Sequence, residues 1–464
     1  MTGVQTCALP ILARASLKIF FLFFLFYFST GWAYEGELLS PKNNGWVLDA
    51  HIPVAFVCSK RPSILINGQN LPMAKTPFKN LWYGRTEWKQ PGAHAISIVS
   101  TCHGQRQEKI FKINFFEMHD LTPAKLLAQN FLQKHSPTKL KWDWGDALFL
   151  YGLGRLPPDE SYSKYLRDYQ AYYYFNPATI DWADRCPSAL SALALWRQEG
   201  HAESFQNLMR VLEFIRHVPK NSLGAINHFG IDTWMSKIFP ASIWLDSLMM
   251  YALLTVEAGV DLEQKELLDF GLNQQIIFAK KMQDPITGAY YHAWNVKHDR
   301  PFPKNNIFWL RGNGWVGASL VLMLEKLMLA GVNHPLTPRL GKLAQNLALS
   351  FRRVMPVHFI FDTVLTQPGK GYEELSGSAL IGFFFVRGAQ LKILSPDYFQ
   401  RGVDIYSAIT ARLSATSNGL SMPDISGPTM PYPEVGYKII PRGRDYSYGI
   451  AAYLLLAQAI HSEK

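Results

Sequence analysis

The apolar residues of this chain change their period near residue 120, and that change limits what it can fold into more than any other feature. From residue 122 onward they recur at helical spacing, over 122–134, 143–155, 160–175, 187–199, 201–217, 242–258, 262–282, 313–331, 337–354, 376–393, 397–413 and 446–461. Twelve helices joined by short links make six antiparallel pairs. Repeated pairs of this kind close into an (α/α)6 toroid in which inner and outer helices alternate. Every second helix starts among aromatic, glycine or acidic residues: Trp142-Asp-Trp-Gly-Asp146, Asp181-Trp-Ala-Asp-Arg-Cys-Pro187, Ile243-Trp-Leu-Asp246, Arg311-Gly-Asn-Gly-Trp315, Glu374-Leu-Ser-Gly-Ser-Ala379 and Asp445-Tyr-Ser-Tyr-Gly449. Alternate helices of a toroid start at the same end, so the six clusters are expected to meet at one mouth. Core packing alone does not ask for polar residues there.

Ahead of the helices the period is two. Trp46–Leu48, Ile52–Val57, Ser63–Ile66, Ala95–Val99 and Ile110–Phe116 read as strands, with turn signals at Asn67-Gly68 and Pro91-Gly92. A β-sandwich of immunoglobulin-like size over 34–118 is the expectation, followed by the (α/α)6 helical domain over 119–464. Trp82, Tyr83 and Trp88 suit either a sugar-stacking face or packing, and packing is the ordinary use of such residues.

Residues 1–33 read as a signal peptide. Arg14 and Lys18 precede the apolar run Ile19–Phe28, and Gly31-Trp-Ala33 offers small residues for cleavage after Ala33. Residues 1–11 resemble translated sequencing-adapter read-through. The run is short for a membrane span and no later stretch qualifies, so an exported protein, periplasmic or extracellular, with no stable span after cleavage is expected. In that setting Cys58 and Cys102, close together in strand-like sequence, are expected to pair as a disulfide, with Cys186 left as a buried thiol.

The net charge of +10 favours anionic partners, yet Lys and Arg are scattered without a basic run, and 14% of residues are aromatic. An acidic saccharide fits this at least as well as nucleic acid. In Phe308–Trp315 two indoles could stack on sugar, the Arg311 fork could grip a carboxylate, and the glycines could let a ligand approach the backbone. The alternative is a Trp-rich helix start with Arg311 capping neighbouring carbonyls. Asp246, in an apolar setting, is either a first-turn helix cap or a general acid raised by desolvation and a second carboxylate. Asp184 and Asp181 are candidates for that second acid, though their context also suits caps. His292 lies on a loop among aromatics, where a ligand contact is plausible. There is no His-x-x-x-His, no cysteine cluster, no phosphate loop and no Gly-x-Ser-x-Gly, which disfavours metal, nucleotide and serine-nucleophile chemistry.

Taken together, Trp-Leu-Asp246, Tyr-His292-Ala-Trp, Trp309-x-Arg311-Gly-Asn-Gly-Trp315 and Glu374-x-Ser-Gly-Ser-Ala379 resemble glycoside hydrolase family 105, the unsaturated rhamnogalacturonyl hydrolases, related to the family 88 unsaturated glucuronyl hydrolases. The resemblance spans about 121–460. It implies an (α/α)6 barrel, Asp246 as catalytic acid/base, and Asp184 as the upstream catalytic-site acid, one residue off the family's spacing to the following Pro. His292, Trp309, Arg311 and Trp315 match positions that hold the unsaturated uronic acid. Trp144 and Met235 join them as expected substrate contacts. Met235 stands where the family often has His, the family's Tyr-His-Gly-Trp-Asp reads Tyr-His-Ala-Trp-Asn295 here, and the front β region is an addition; a divergent subfamily is expected. The implied reaction removes a Δ4,5-unsaturated uronic acid from the non-reducing end of an oligosaccharide by hydrating its double bond, without metal or organic cofactor. Rival readings are an inverting glycosidase, which needs two carboxyls about 6.5–9.5 Å apart, a uronate lyase, or a saccharide-binding protein that has lost catalysis.

Overall fold

The structure is a computed structural model describing residues 34–48, 51–88, 90–303 and 307–462. The expected signal peptide, 1–33, lies outside the described residues. The period change near residue 120 is real: strands fill the region before it and helices dominate after it.

Nine strands make two sheets. β1 (Leu38–Ser40), β3 (His51–Val57), β6 (Ala74–Lys75) and β7 (Leu81–Glu87) pair in the order β1-β3-β7-β6. β2 (Gly45–Leu48), β4 (Ser63–Ile66), β5 (Gln69–Leu71), β8 (Gly92–Cys102) and β9 (Gln105–Phe116) pair in the order β2-β9-β8-β4-β5, with β2 parallel to β9. The alternation seen in the sequence explains the packing. Ile52, Val54 and Phe56 of one sheet meet Ile64, Ile66, Ile96, Ile98, Ile113 and Phe115 of the other in a shared core. The Cys58–Cys102 disulfide forms between the sheets, and Cys186 is a buried free thiol. Trp82 donates its indole N–H to the Cys58 carbonyl (2.8 Å), Tyr83 is buried, and Trp88 stacks on Phe115 (4.8 Å). These aromatics pack rather than present a sugar-stacking face.

Of the α-helices among the described residues, twelve have nine residues or more: α1 (Thr122–Lys134), α2 (Trp144–Gly154), α3 (Glu160–Phe175), α4 (Ser188–Glu199), α5 (Ala202–His217), α6 (Leu253–Asp261), α7 (Lys265–Met282), α8 (Leu310–Leu329), α9 (Thr337–Arg353), α10 (Leu375–Gln390), α11 (Asp397–Thr410) and α12 (Ser447–His461). The even-numbered ones pack in a cycle, α2 on α4 and so on round to α12, which returns to α2. The odd-numbered ones lie outside them. The division follows composition. α8, α10 and α12 are apolar all round and buried almost throughout. α9 buries only a stripe, with Leu340, Ala344, Leu347, Ala348 and Phe351 at three- and four-residue spacing. No helix among the described residues is long and apolar enough to cross a membrane.

One expected helix start is displaced. Residues 242–244 form a strand (Ser242–Trp244) antiparallel to Ala293–Asn295, which pairs in turn with Arg300–Phe302. A π-helical turn, Leu248–Ala252, then leads into α6. Ser242-Ile-Trp is held extended by a partner fifty residues away, which local periodicity cannot reveal.

Candidate active site

The three-stranded sheet builds the centre of the site. Pairing of Trp244 with Ala293 and a bond from the Leu245 N–H to the His292 carbonyl (3.0 Å) place the ends of the two strands together. Asp246 and His292 therefore face each other, with Oδ2 3.6 Å from Nε2. That is too long for a hydrogen bond, and neither atom has a hydrogen-bond partner among the described residues. Asp246 does not cap its helix through Oδ2; its carbonyl accepts the N–H groups of Met249 and Met250 (2.8 and 3.0 Å) while the carboxyl faces the site. A buried polar group left unpaired costs on the order of 1–3 kcal/mol, so two of them at one spot mark a place built for something else to bind.

His292 is fixed from behind. Its Nδ1 lies 2.7 Å from the hydroxyl of Tyr437. Asn313 brackets the same loop, accepting the Tyr290 N–H (2.7 Å) and donating to the Tyr290 carbonyl (2.9 Å). Burial pushes the His292 imidazole below its ordinary pKa, with nearby Asp246 opposing the shift.

Asp184 belongs to the same site. Its side chain is 22% exposed and its Oδ1 lies 3.7 Å from His228 Nε2. Desolvation, then the charges of Asp143 and Asp246, hold its carboxyl well above the ordinary carboxylate range against the pull of Arg185. Arg185 is within 3.6 Å of Asp143, lies over the Trp182 ring and donates to the Trp142 carbonyl. The main-chain carbonyl of Asp181, the other candidate, stands against Gly230.

An unbroken column of rings lines the site. His228 stacks on Trp244 (4.1 Å, 7°), Trp244 meets His292 edge-on (5.3 Å), and His292 stacks on Trp309 (4.4 Å). The Arg311 guanidinium lies between Trp309 (4.9 Å) and Tyr448 (4.7 Å), and Tyr448 stacks on half-buried Trp144 (4.5 Å). Glu374 is 3.8 Å from Arg311. Members of all six helix-start clusters thus meet.

Two expected contacts take other places. Arg311 is fully buried, and its terminal nitrogens donate to the carbonyls of Ser426 (2.7 Å) and Gly427 (2.8 Å). The fork expected to grip a uronate already holds a loop of this chain, the capping alternative weighed above. Trp315 is fully buried in the helical core, one turn inside α8, away from the mouth. The flanking glycines serve helix packing rather than ligand approach: a Cβ on Gly312 would stand 2.3 Å from Leu245 Cδ1, and one on Gly314 2.7 Å from Leu380 Cβ. Met235, on the short helix Trp234–Ile238, packs half-buried against the Phe229–Trp244–Ala293 cluster at the rim. Asn295 accepts the His298 N–H (3.0 Å), so this departure caps a turn.

Sequence reasoning missed His228 and Tyr437. His228 meets the criterion applied to His292, a histidine beside aromatics outside the predicted helices. Tyr437 carried no signal. Among the described residues one cluster has metal-ligand types, Glu35, Cys58, Cys102 and His103, and its two sulfurs are bonded to each other.

The profile of Glycosyl Hydrolase Family 88 matches residues 119–462. The chain belongs to glycosyl hydrolase family 88. This family 88 protein is 25% identical over 332 residues, 70% of its own length and 91% of the relative's, to the unsaturated rhamnogalacturonyl hydrolase YesR of Bacillus subtilis. Its fold resembles the solved family 105 glycoside hydrolase of C. acetobutylicum ATCC 824, with a TM-score of 0.66 at 20% identity over 74% of this chain and 99% of that one. It also resembles the unsaturated glucuronyl hydrolase of Bacillus sp. GL1, with a TM-score of 0.58 at 16% identity over 72% and 94%.

Proposed function

We propose that this glycosyl hydrolase is an unsaturated uronyl hydrolase, releasing a Δ4,5-unsaturated uronic acid from acidic oligosaccharides by hydrating the double bond. The observation that carries the reading is the buried pair Asp246 Oδ2 and His292 Nε2, without hydrogen-bond partners among the described residues, beside a second carboxyl, Asp184, that burial pushes well above the ordinary carboxylate range. We read the cycle of six inner helices as an (α/α)6 barrel whose mouth holds this pair, and 34–118 as a separate immunoglobulin-like domain in front of it. Export is part of the proposal, and the disulfide fits an oxidising compartment.

The reaction needs one acid that cycles between its two forms. Asp246 protonates C4 of the enol ether, and the resulting carboxylate draws a proton from water as that water adds to C5. The C5 hemiketal then opens and the rest of the oligosaccharide leaves. Asp143, Asp184 and Asp246 share a small space that resists several negative charges at once, which favours keeping a proton there. The uronate's own carboxylate adds to that resistance on arrival. With the ends of the Arg311 fork occupied, the indole N–H of Trp309, which has no hydrogen-bond partner among the described residues, and the imidazole of His292 are the groups offered to the sugar's oxygens. Trp144, Trp244 and Met235 supply apolar surface around them.

The test is the ultraviolet absorbance of the conjugated double bond, followed with a panel of lyase-generated unsaturated disaccharides from pectin, rhamnogalacturonan, glycosaminoglycan and alginate. Loss of absorbance is the expected result, with Asp246→Asn slower by about 10²–10⁴-fold and unfolding at a similar temperature. Binding without any loss of absorbance would point to a saccharide-binding protein instead.

A further inference from the structure

Two buried histidines, not one, stand against the carboxyls, and the second has a more constrained position than the first. The His228 N–H donates to the Ser242 carbonyl (2.9 Å), and the His228 carbonyl accepts from the Ala183 N–H (3.1 Å). Ala183 precedes Asp184, and Ser242 opens the strand that leads to Asp246. This one residue ties the two acid-bearing segments together through the main chain. Its ring spans the same gap. The face stacked on Trp244 stops it from tilting, Nδ1 lies 3.2 Å from the hydroxyl of buried Ser247, and Nε2 lies 3.7 Å from Asp184 Oδ1.

We propose that His228 is a positioning residue that fixes where the Asp184 carboxyl stands relative to Asp246. This rests on the reading of Asp184 and Asp246 as the working carboxyls. A neutral imidazole has one N–H and one lone pair. The Ser247 hydroxyl at Nδ1 and Asp184 Oδ1 facing Nε2 put one polar group against each ring nitrogen. The arrangement repeats that at Asp246, where Tyr437 takes the place of Ser247 and His292 that of His228. Trp244 lies between the two imidazoles. The ionisable groups acting on Asp184 are Asp143, Asp246 and Arg185, with His228 at its Oδ1; those acting on His228 are Asp246 and His292. Burial holds the His228 imidazole neutral, lowering it to about 4.

Two variants separate positioning from mere packing. His228→Phe keeps a ring to stack on Trp244 and removes both nitrogens, whereas His228→Gln keeps an amide N–H. In the absorbance assay His228→Phe is expected to lose about 10- to 100-fold in kcat with KM within about threefold. The alkaline limb of its pH profile moves upward, because ionised Asp184 loses the polar ring edge that faces its Oδ1. His228→Gln recovers most of both effects. A kcat loss in the Phe variant with an unmoved alkaline limb and no recovery in the Gln variant would overturn the proposal. A second measurement needs no substrate and so stands even if the uronyl reading fails. The unfolding temperatures of Asp184→Asn, His228→Gln and the double variant are compared with the parent from pH 4 to 8. The effect of Asp184→Asn should depend on which residue is at 228, and strict additivity at every pH would sink the idea.

Discussion

Arg311 shows how much of a residue's role lies in its surroundings. A guanidinium stacked between Trp309 and Tyr448, near Glu374, and donating to two carbonyls ties α8, α10, α12 and the 426–427 loop together. Arg311→Ala leaves the fully buried Glu374 without its counter-charge and takes one donor from each of the carbonyls of Ser426 and Gly427, which keep the hydroxyls of Tyr448 and Thr429. Breaking a buried pair by removing one partner costs about 3–5 kcal/mol. The expected outcome is a large drop in unfolding temperature measured without ligand; an unchanged temperature together with a raised KM would restore the carboxylate-gripping role. Asp246 and His292 were legible because an acid in an apolar helix start and a histidine on an aromatic loop are unusual in themselves. Arg311 was not, because a guanidinium beside two indoles reads the same whether its fork holds a substrate or a carbonyl. Only the position of the 426–427 loop, more than a hundred residues on, decides between them.

At the scale of elements, the short sheet and the start of α8 hold each other in register. Gly312 lets α8 run against Leu245, the residue before Asp246, and the Trp309 ring packs on the same spot, 2.5 Å from where a Cβ would be. Gly312→Ala must move Leu245 or Trp309, and overpacking of this kind costs about 1–3 kcal/mol. Turnover should fall by more than the loss of folded protein explains, since Asp246 and the stacked pair of Trp309 and His292 move with it; full activity per folded molecule would show that the shift is absorbed elsewhere. The helices were readable from the sequence, since outer ones such as α9 carry an apolar stripe at 3.6-residue spacing and the inner α8, α10 and α12 are long apolar runs. The strand Ser242–Trp244 was not, because three residues have no period and their extended form depends on Ala293–Asn295. The capping network around Glu374 was hidden in the same way: its side chain accepts from the N–H groups of Ser376, Gly377 and Ser426. Ser-Gly-Ser there is the shape of a helix start.

Across the whole molecule, the β-rich part is seated on the helices by charge as well as by contact. Arg85 pairs with Asp404 (3.1 Å), His358 lies against Phe78 and Tyr83, and Glu373 is held by Arg412 (2.9 Å) and His358 (3.1 Å). Burial would raise the Glu373 carboxyl, but Arg412 and His358 override it and bring it down to about 2. A carboxyl lowered on folding adds stability above its unfolded pKa of 4.5 and loses it as the pH falls towards 2. The loss amounts to about 3 kcal/mol at 1.36 kcal/mol per unit. In Glu373→Gln the acid limb of the stability curve between pH 4.5 and 2 should flatten, and the variant should be less stable than the parent at pH 7; an identical acid limb would place the stabilisation elsewhere.

The cycle of inner helices also has a consequence in time. Its first member, α2, closes against its last, α12, where Trp144 of one stacks on Tyr448 of the other. His461, at the last turn of α12, reaches back to the carbonyl of His119 (2.6 Å), just before the first helix. A growing chain therefore carries Asp184, Asp246 and His292 well before it possesses a site, and the site comes into being only when α12 is free to dock.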